Sequence, residues 1–173
     1  MGIIASAIKV TIGEVMSCDE GSAPNRLSLP SVNGSLKFEM KLTSDPHLLP
    51  VVRSTVAELA AALGFEESQC RKITLAVDEA LGNVIRHAYN NECNHELELN
   101  CHAQADCLEF TFIDRGEPAD PARICAQPLD KVALGGRGTH LIRQIMDEVS
   151  YERLPDRNCL RLKKYMPGAG KKA

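Results

Sequence analysis

Tryptophan is absent from this chain of 173 residues, and aromatic residues make up only 4% of it. That removes the ring platforms on which single-stranded nucleic acids usually stack, and it leaves the core to aliphatic side chains. No uncharged apolar stretch approaches the ~20 residues that a membrane-spanning helix requires, so no membrane role is expected. An excess of positive charge is missing too: 20 Lys and Arg face 23 Asp and Glu, a net charge of −3, which disfavours a nucleic-acid partner. The seven cysteines include no C-x-x-C pair, and an odd number cannot be fully paired in one chain. Reduced thiols in a cytoplasm fit better than a disulfide framework.

What is present is a chain that is 44% hydrophobic, long enough for one compact domain with a substantial core and cramped for two. The first residues, Met1-Gly2-Ile3-Ile4-Ala5-Ser6, match a myristoylation pattern only loosely, and no basic leader precedes the short apolar stretch that Lys9 interrupts. Residues 17–35 are rich in Ser, Gly, Pro and Asn and read as a flexible connector. The expected organisation is an extension over 1–35, a folded domain over 36–166 and a tail over 167–173. The densest cysteine run, from Cys93 and His95 to Cys101, His102 and Cys107, has thiolate and imidazole groups that zinc favours. Its spacing matches no common finger, and the alternation of Leu97, Leu99 and Cys101 reads instead as a strand with small apolar groups buried, so no zinc is expected there.

Within the domain, Leu36, Phe38, Met40 and Leu42 alternate with polar neighbours, which predicts a strand with one face on a core. A helix follows from Asp45 and Pro46, with Val52, Val56, Leu59 and Leu63 at helical spacing and Gly64 as its stop. A second helix opens at Glu66 and Glu67, where acid suits the helix dipole, and runs to about Tyr89. Strands are predicted over 95–101 and 107–113 as a hairpin, then a Pro-containing loop, a helix over 139–148, and strands over 149–153 and 159–165. This order of helices and antiparallel strands predicts an α+β two-layer sandwich, with a mixed, mostly antiparallel sheet covered on one face by helices.

Three segments carry chemistry. On the second helix, Ile73, Ala76, Val77, Ala80 and Val84 form one apolar stripe, whereas Glu79 and Asn83 sit one above the other on a flank beside Arg86. A carboxylate and a carboxamide in one helical row can serve as a general base and a hard oxygen ligand for Mg²⁺, or can simply face water. Directly after the strand 107–113, Asp114 can accept from an exocyclic amine and Gly116 lets backbone approach a flat ring; Asp, Gly and Pro are equally ordinary turn formers. The third segment is Gly135-Gly136-Arg137-Gly138-Thr139-His140, where glycines precede a helix whose free amides suit an anion. It lacks the Gly-Lys-Ser/Thr ending of a Walker motif.

In this order, and on helix, strand end and loop-to-helix junction, the three segments resemble the nucleotide-binding boxes of the GHKL ATPase superfamily, whose domain is the Bergerat fold. More narrowly, ITLAVDEALGNVIRHAYN, FIDRGEPADP and GGRGTHLIRQIMDEVSYE resemble the anti-sigma-factor serine/threonine kinase family over about residues 36–166. The resemblance implies ATP and Mg²⁺ as cofactors, Glu79 as catalytic base and Asn83 as Mg²⁺ ligand. It also implies Asp114 on the adenine amino group with Gly116 beside the ring, Gly136, Gly138 and the amides after them, including Thr139, on the phosphates, and an ATP lid over 117–134. Arg137 falls inside the glycine turn, either on a phosphate or in water. His140 stands where the family usually has an apolar residue and is expected to be partly buried and hydrogen-bonded; His87 is expected to pack structurally.

The family implies phosphorylation of a STAS-type anti-sigma-factor antagonist, sequestration of a sigma factor, and a homodimer through the sheet side to which the strand 36–42 contributes. A nucleotide-gated binding module without phosphotransfer is the alternative. About 130 folded residues leave no room for the phosphoacceptor hairpin of a histidine kinase.

Overall fold

The computed structural model of the chain describes residues 8–9, 35–119 and 137–169, with backbone only at 8, 9 and 137. Most of the expected connector, the expected lid beyond Ala119, Gly136 and the Arg137 side chain lie outside the described residues. Six strands form one sheet: β1 (Ile8–Lys9), β2 (Leu36–Thr43), β3 (Glu96–Ala103), β4 (Cys107–Asp114), β5 (Glu148–Leu154) and β6 (Arg157–Tyr165), in the order β1-β2-β3-β4-β6-β5. A 3₁₀ turn (Pro46–Leu48) leads into α1 (Leu49–Ala62); α2 (Glu67–Asn83) passes into a π turn (Val84–Ala88), and α3 is Arg137–Ile145. The family-like two-layer α+β sandwich is therefore present. Its sheet is not mixed, because every pairing among the described residues is antiparallel. The reason lies in the connections. Two successive strand pairs are hairpins, and α1 and α2 run out and back, so that Ser44 after β2 meets His95 before β3, with the Ser44 amide donating to the His95 carbonyl at 2.7 Å.

Side-chain alternation fixes which face is covered. Met40 and Leu42 on β2, Leu97, Leu99, Cys101 and Ala103 on β3, and Leu108, Phe110 and Phe112 on β4 are buried against Val52, Val56 and Ala60 of α1, the α2 stripe, and Ile142 and Ile145 of α3. Leu36 and Phe38 join the same cluster as partly buried residues. The apolar face of the strand 36–42 is thus spent on the chain's own core. Its other face carries Lys37, Glu39 and Lys41, with Lys41 3.8 Å from Glu96 and 3.3 Å from Glu98. The strand therefore brings charge, not apolar surface, to any contact on the helix-free side.

Local signals set most of the element ends. Asp45 Oδ1 accepts from the His47 amide at 2.9 Å, with Pro46 in the first turn, where its missing N–H costs nothing. At the other end of α1, Gly64 sits at φ 87°, its amide on the Ala61 carbonyl and that of Phe65 on the Ala60 carbonyl. That pair of bonds is a Schellman closure. One helix is wound differently from expectation and one ends early. The second helix reaches Ala88, capped by Tyr89 near its expected end, but from Val84 it is widened into the π turn, which buries Ile85, leaves Val84 partly buried and turns His87 outward, so His87 is exposed and not packed. α3 stops at Ile145, short of 148, because Asp147 is captured by the sheet: its amide donates to the Lys163 carbonyl and its Oδ2 accepts from the Tyr165 amide at 2.8 Å. His140 is exposed on α3 and makes none of the hydrogen bonds expected of it among the described residues.

The cysteine run is divided by the sheet. Cys93 is exposed, Cys101 faces the helices in register with Phe110, and Cys107 lies on the opposite face in register with Tyr165. Burial pushes the Cys101 thiol up to about 12, so it is held as a thiol and not as the thiolate that binds zinc.

Phe110 is fully buried in the centre of this sheet, between Cys101 on one side and Leu162 on the other. Phe110→Ala is expected to cost about 3–5 kcal/mol, read as a lowered urea midpoint with little change in slope.

Candidate nucleotide-binding site

α2 lies between α1 and α3 and carries the first pair of site residues on the flank away from its apolar stripe. Glu79 and Asn83 are partly buried, four residues apart, and face the same side. Both oxygens converge on a single nitrogen. Arg86 Nη2 donates to Glu79 Oε1 at 2.8 Å and to Asn83 Oδ1 at 3.0 Å. Two hard oxygen donors already gathered around one cationic centre are the donor set that Mg²⁺ takes from a protein, so these residues fit that ion.

The other two segments meet this helix. Gly138, in the first turn of α3, is pressed against Glu79: a Cβ there would lie 1.9 Å from Glu79 Oε1 and 2.5 Å from its Cδ. Only a glycine allows that approach. It brings the first, unpaired amides of α3 to the carboxylate side of α2, with Thr139 partly buried beside it. At the far end of α2, Gly116 packs on the π turn, where a Cβ would come within 2.3 Å of the Ala88 carbonyl oxygen. The Glu117 amide donates to that oxygen at 2.8 Å. The absent side chain at 116 is thus required by the protein's own backbone, before any ring is considered. Tyr89 completes the junction, stacked on His95 with ring centroids 4.4 Å apart. Its hydroxyl donates to the Glu96 carbonyl at 2.8 Å and accepts from the Arg115 amide at 3.0 Å.

Asp114 is the last residue of β4 and is buried. Its Oδ1 accepts from the Gly116 amide at 2.9 Å and from Asn158 Nδ2 at 2.7 Å. Both bonds end on one oxygen, and Oδ2 makes no hydrogen bond among the described residues. Burial raises the Asp114 carboxyl above its ordinary value, against the opposing pull of those two bonds and of the nearby Arg153 charge. Asn158, 1% exposed, was not singled out by sequence. Its Nδ2 also donates to the Gly116 carbonyl at 3.2 Å, and its Oδ1 accepts from the Tyr151 hydroxyl and Arg153 Nη1, each at 3.0 Å. Every polar group of this amide is used, so its orientation, and through it that of Asp114, is fixed. The signal is a polar residue on the core face ahead of Leu160 and Leu162, one position before the predicted strand 159–165, which in the structure starts two residues earlier at Arg157. Arg86 was seen beside the pair but given no role.

Two clefts among the described residues lie away from these side chains. A cavity of about 510 Å³ sits on the helix-free face near His102 and Lys163, and one of about 520 Å³ between α1 and α2 near Phe65 and Leu75.

A sheet with helices on one face, an acidic residue at a strand end tied to a neighbouring strand, and a carboxylate–carboxamide pair under a glycine-started helix define a nucleotide-binding domain of the histidine-kinase-like class. Comparison agrees: the profile of the histidine kinase-like ATPase domain matches residues 42–164. Serine-protein kinase RsbW of Oceanobacillus iheyensis is 32% identical over 120 residues, covering 65% of this chain and 76% of the relative. RsbW of Bacillus subtilis is 27% identical over 125 residues, 68% and 78% of the two chains. A crystal structure of the RsbU and RsbW domains of Rv1364c from Mycobacterium tuberculosis superposes with a TM-score of 0.52 at 17% identity, over 77% of this chain and 33% of that one, a likeness of fold. The chain belongs to the histidine kinase-like ATPase family and, within it, to the anti-sigma-factor serine kinase family that its three segments resemble.

Asp114 yields opposite expectations for stability and for binding. Because its folded value is raised, the folded state holds this proton more tightly than the unfolded chain, so its contribution to stability falls as pH rises from the unfolded value through the folded one. Asp114→Asn keeps an acceptor for Asn158 and Gly116 and removes the buried charge. It should leave melting temperature at neutral pH unchanged or higher, while calorimetric affinity for ATP drops about tenfold or more, since with residue 114 on the adenine amino group, as the family resemblance implies, an amide would turn a donor toward that amine. In the parent chain, affinity should weaken as pH falls toward the raised value, before an ordinary carboxyl would protonate.

Proposed function

We propose that this chain is an ATP-dependent serine/threonine protein kinase and anti-sigma factor of the partner-switching type, whose substrate is a serine or threonine of a STAS-type antagonist. The observation that carries the reading is the contact of Gly138 with the Glu79 carboxylate, because it brings a phosphate-binding helix start beside a base. In this reading Asp114 Oδ2 accepts from the adenine amino group, with Asn158 holding the carboxylate in place, and Gly116 lies beside the ring. The amides of Gly138 and Thr139, with Gly136 and Arg137 before them, receive the phosphates. Glu79 takes the proton of the substrate hydroxyl as its oxygen bonds to the γ-phosphorus and the bond to the β-phosphate oxygen breaks, releasing ADP. Mg²⁺, held by Asn83, supplies charge neutralisation on the phosphate oxygens when bound. Positioning and charge account for such a transfer, with no covalent intermediate on the protein.

Incubation with labelled ATP and a candidate antagonist tests this. The parent chain should label the antagonist, and Glu79→Ala should lower the rate at least about a hundredfold while binding of a fluorescent ATP analogue stays within about twofold. Unchanged labelling would remove Glu79 from its role, and no labelling by the parent chain despite saturable ATP binding would favour a nucleotide-gated binding module. The sigma factor is the second partner in this reading, held in a cytoplasmic complex; no helix of the described residues is long and apolar enough to cross a membrane.

A homodimer through the helix-free face is part of the same proposal. That face is charged along β2, so the association should weaken with salt, seen as a fall in mass by light scattering between about 0.05 M and 0.5 M NaCl. A salt-independent monomer would contradict it.

A further inference from the structure

Arg86 lies seven residues beyond Glu79, two turns along, and its guanidinium folds back over the helix to reach both site oxygens. Two features make the fold-back possible. The π turn, Val84–Ala88, changes the angular position of residue 86, and Gly82 leaves the surface under the guanidinium bare, since a Cβ there would lie 2.9 Å from Arg86 Nη1. The Arg86 side chain is 47% exposed and that of Glu79 26%, so the contact is neither sealed in the core nor fully screened.

One cation therefore uses the acceptor that a metal would need on Asn83 and the oxygen with which Glu79 would take a proton. An Asn83 Oδ1 that accepts from Nη2 cannot at the same time offer that lone pair to Mg²⁺, and two positive charges cannot share so small a space without repulsion. We propose that Arg86 is a positioning residue that acts as an internal competitor for the magnesium site: it holds Glu79 and Asn83 together in the nucleotide-free chain and must withdraw before Asn83 can serve as a metal ligand. The inference rests on the nucleotide-binding reading above and adds that Arg86 sets how much Mg²⁺ the site requires. The partly exposed ion pair is weak, which suits a contact that has to open in each cycle.

The test is direct binding. A fluorescent ATP analogue is titrated with Mg²⁺ against the parent chain, Arg86→Gln and Arg86→Lys, and again in EDTA. Arg86→Gln should lower the Mg²⁺ concentration at half-saturation about threefold to fivefold and leave metal-free affinity unchanged, with Arg86→Lys between it and the parent. Gly82→Ala serves as an independent variant, since its methyl displaces the guanidinium tip while favouring the helix, and it should shift the Mg²⁺ requirement in the same direction. An unchanged or raised Mg²⁺ requirement in both Arg86→Gln and Gly82→Ala overturns the proposal. So does a loss of metal-free affinity in Arg86→Gln, which would put Arg86 on the phosphates. Absence of saturable binding by the parent chain would instead defeat the nucleotide reading itself.

Discussion

Two close approaches onto one helix hold this site together. Gly138 brings the start of α3 against the Glu79 carboxylate, and Gly116 brings the end of β4 against the Ala88 carbonyl, so that three segments far apart in sequence share the wall formed by the second half of α2 and its π turn. Neither contact is a strong bond. Each is a steric permission, and its value lies in what it places: unpaired amides near a carboxylate at one end and an anchored acid at the other. Packing in the rest of the fold serves this arrangement. The α2 stripe buried against Leu99, Phe110 and Phe112 sets the helix at a fixed height over the sheet, and the Tyr89 hydroxyl, bonded to backbone on both β3 and the loop after β4, pins its far end.

The polar groups of the site are supported unequally, in keeping with what each must do. Asp114 is buried and carries a carboxyl raised by desolvation, an arrangement that persists because Asn158 is fully satisfied and holds it rigidly. Among the described residues, Glu79 and Asn83 are hydrogen-bonded through their side chains by one partly exposed side chain, Arg86 of the π turn. In the proposed reading, the adenine end is thus built in advance, whereas the phosphate end keeps a partner that is less firmly held. Preformed recognition with an adjustable reactive end suits a domain in which the base identifies the ligand and the phosphates undergo the change.

Much of this was legible in the sequence, and what was missed shares one cause. The strand 36–42, the Asp45 and Gly64 helix signals and the hairpin of β3 and β4 depend on local periodicity and local capping, which a sequence shows directly. Glu79, Asn83 and Asp114 could be placed on their elements for the same reason, and the family resemblance ordered them. Asn158 and Arg86 were missed because their roles depend on pairing register and on a helix irregularity. The π turn is not a matter of propensity: Val84, Ile85 and Arg86 read as ordinary helix. Widening is coupled to the contact of Ala88 with Gly116, a residue 28 positions away, so no short window contains the information. The expectations for His87 and His140 failed similarly, since each assumed a helical face that the true boundaries rotate or leave uncovered.

The Asp114–Asn158 pair is a rung of the β4–β6 ladder, and Asn158 in turn faces Arg153 across β5–β6. The register of that second pair is set by a connection of only two residues, Pro155 and Asp156, since Leu154 already pairs with Arg157. Side chains alternate faces along a strand, so a change of one residue in the length of this tip, if β6 slid with it, would swing the amide to the opposite side of the sheet and leave the acid without its clamp. In the proposed reading, the base contact is thus gauged by a tight bend that ends two residues before Asn158, where drift in loop length would be read out as altered choice of nucleotide.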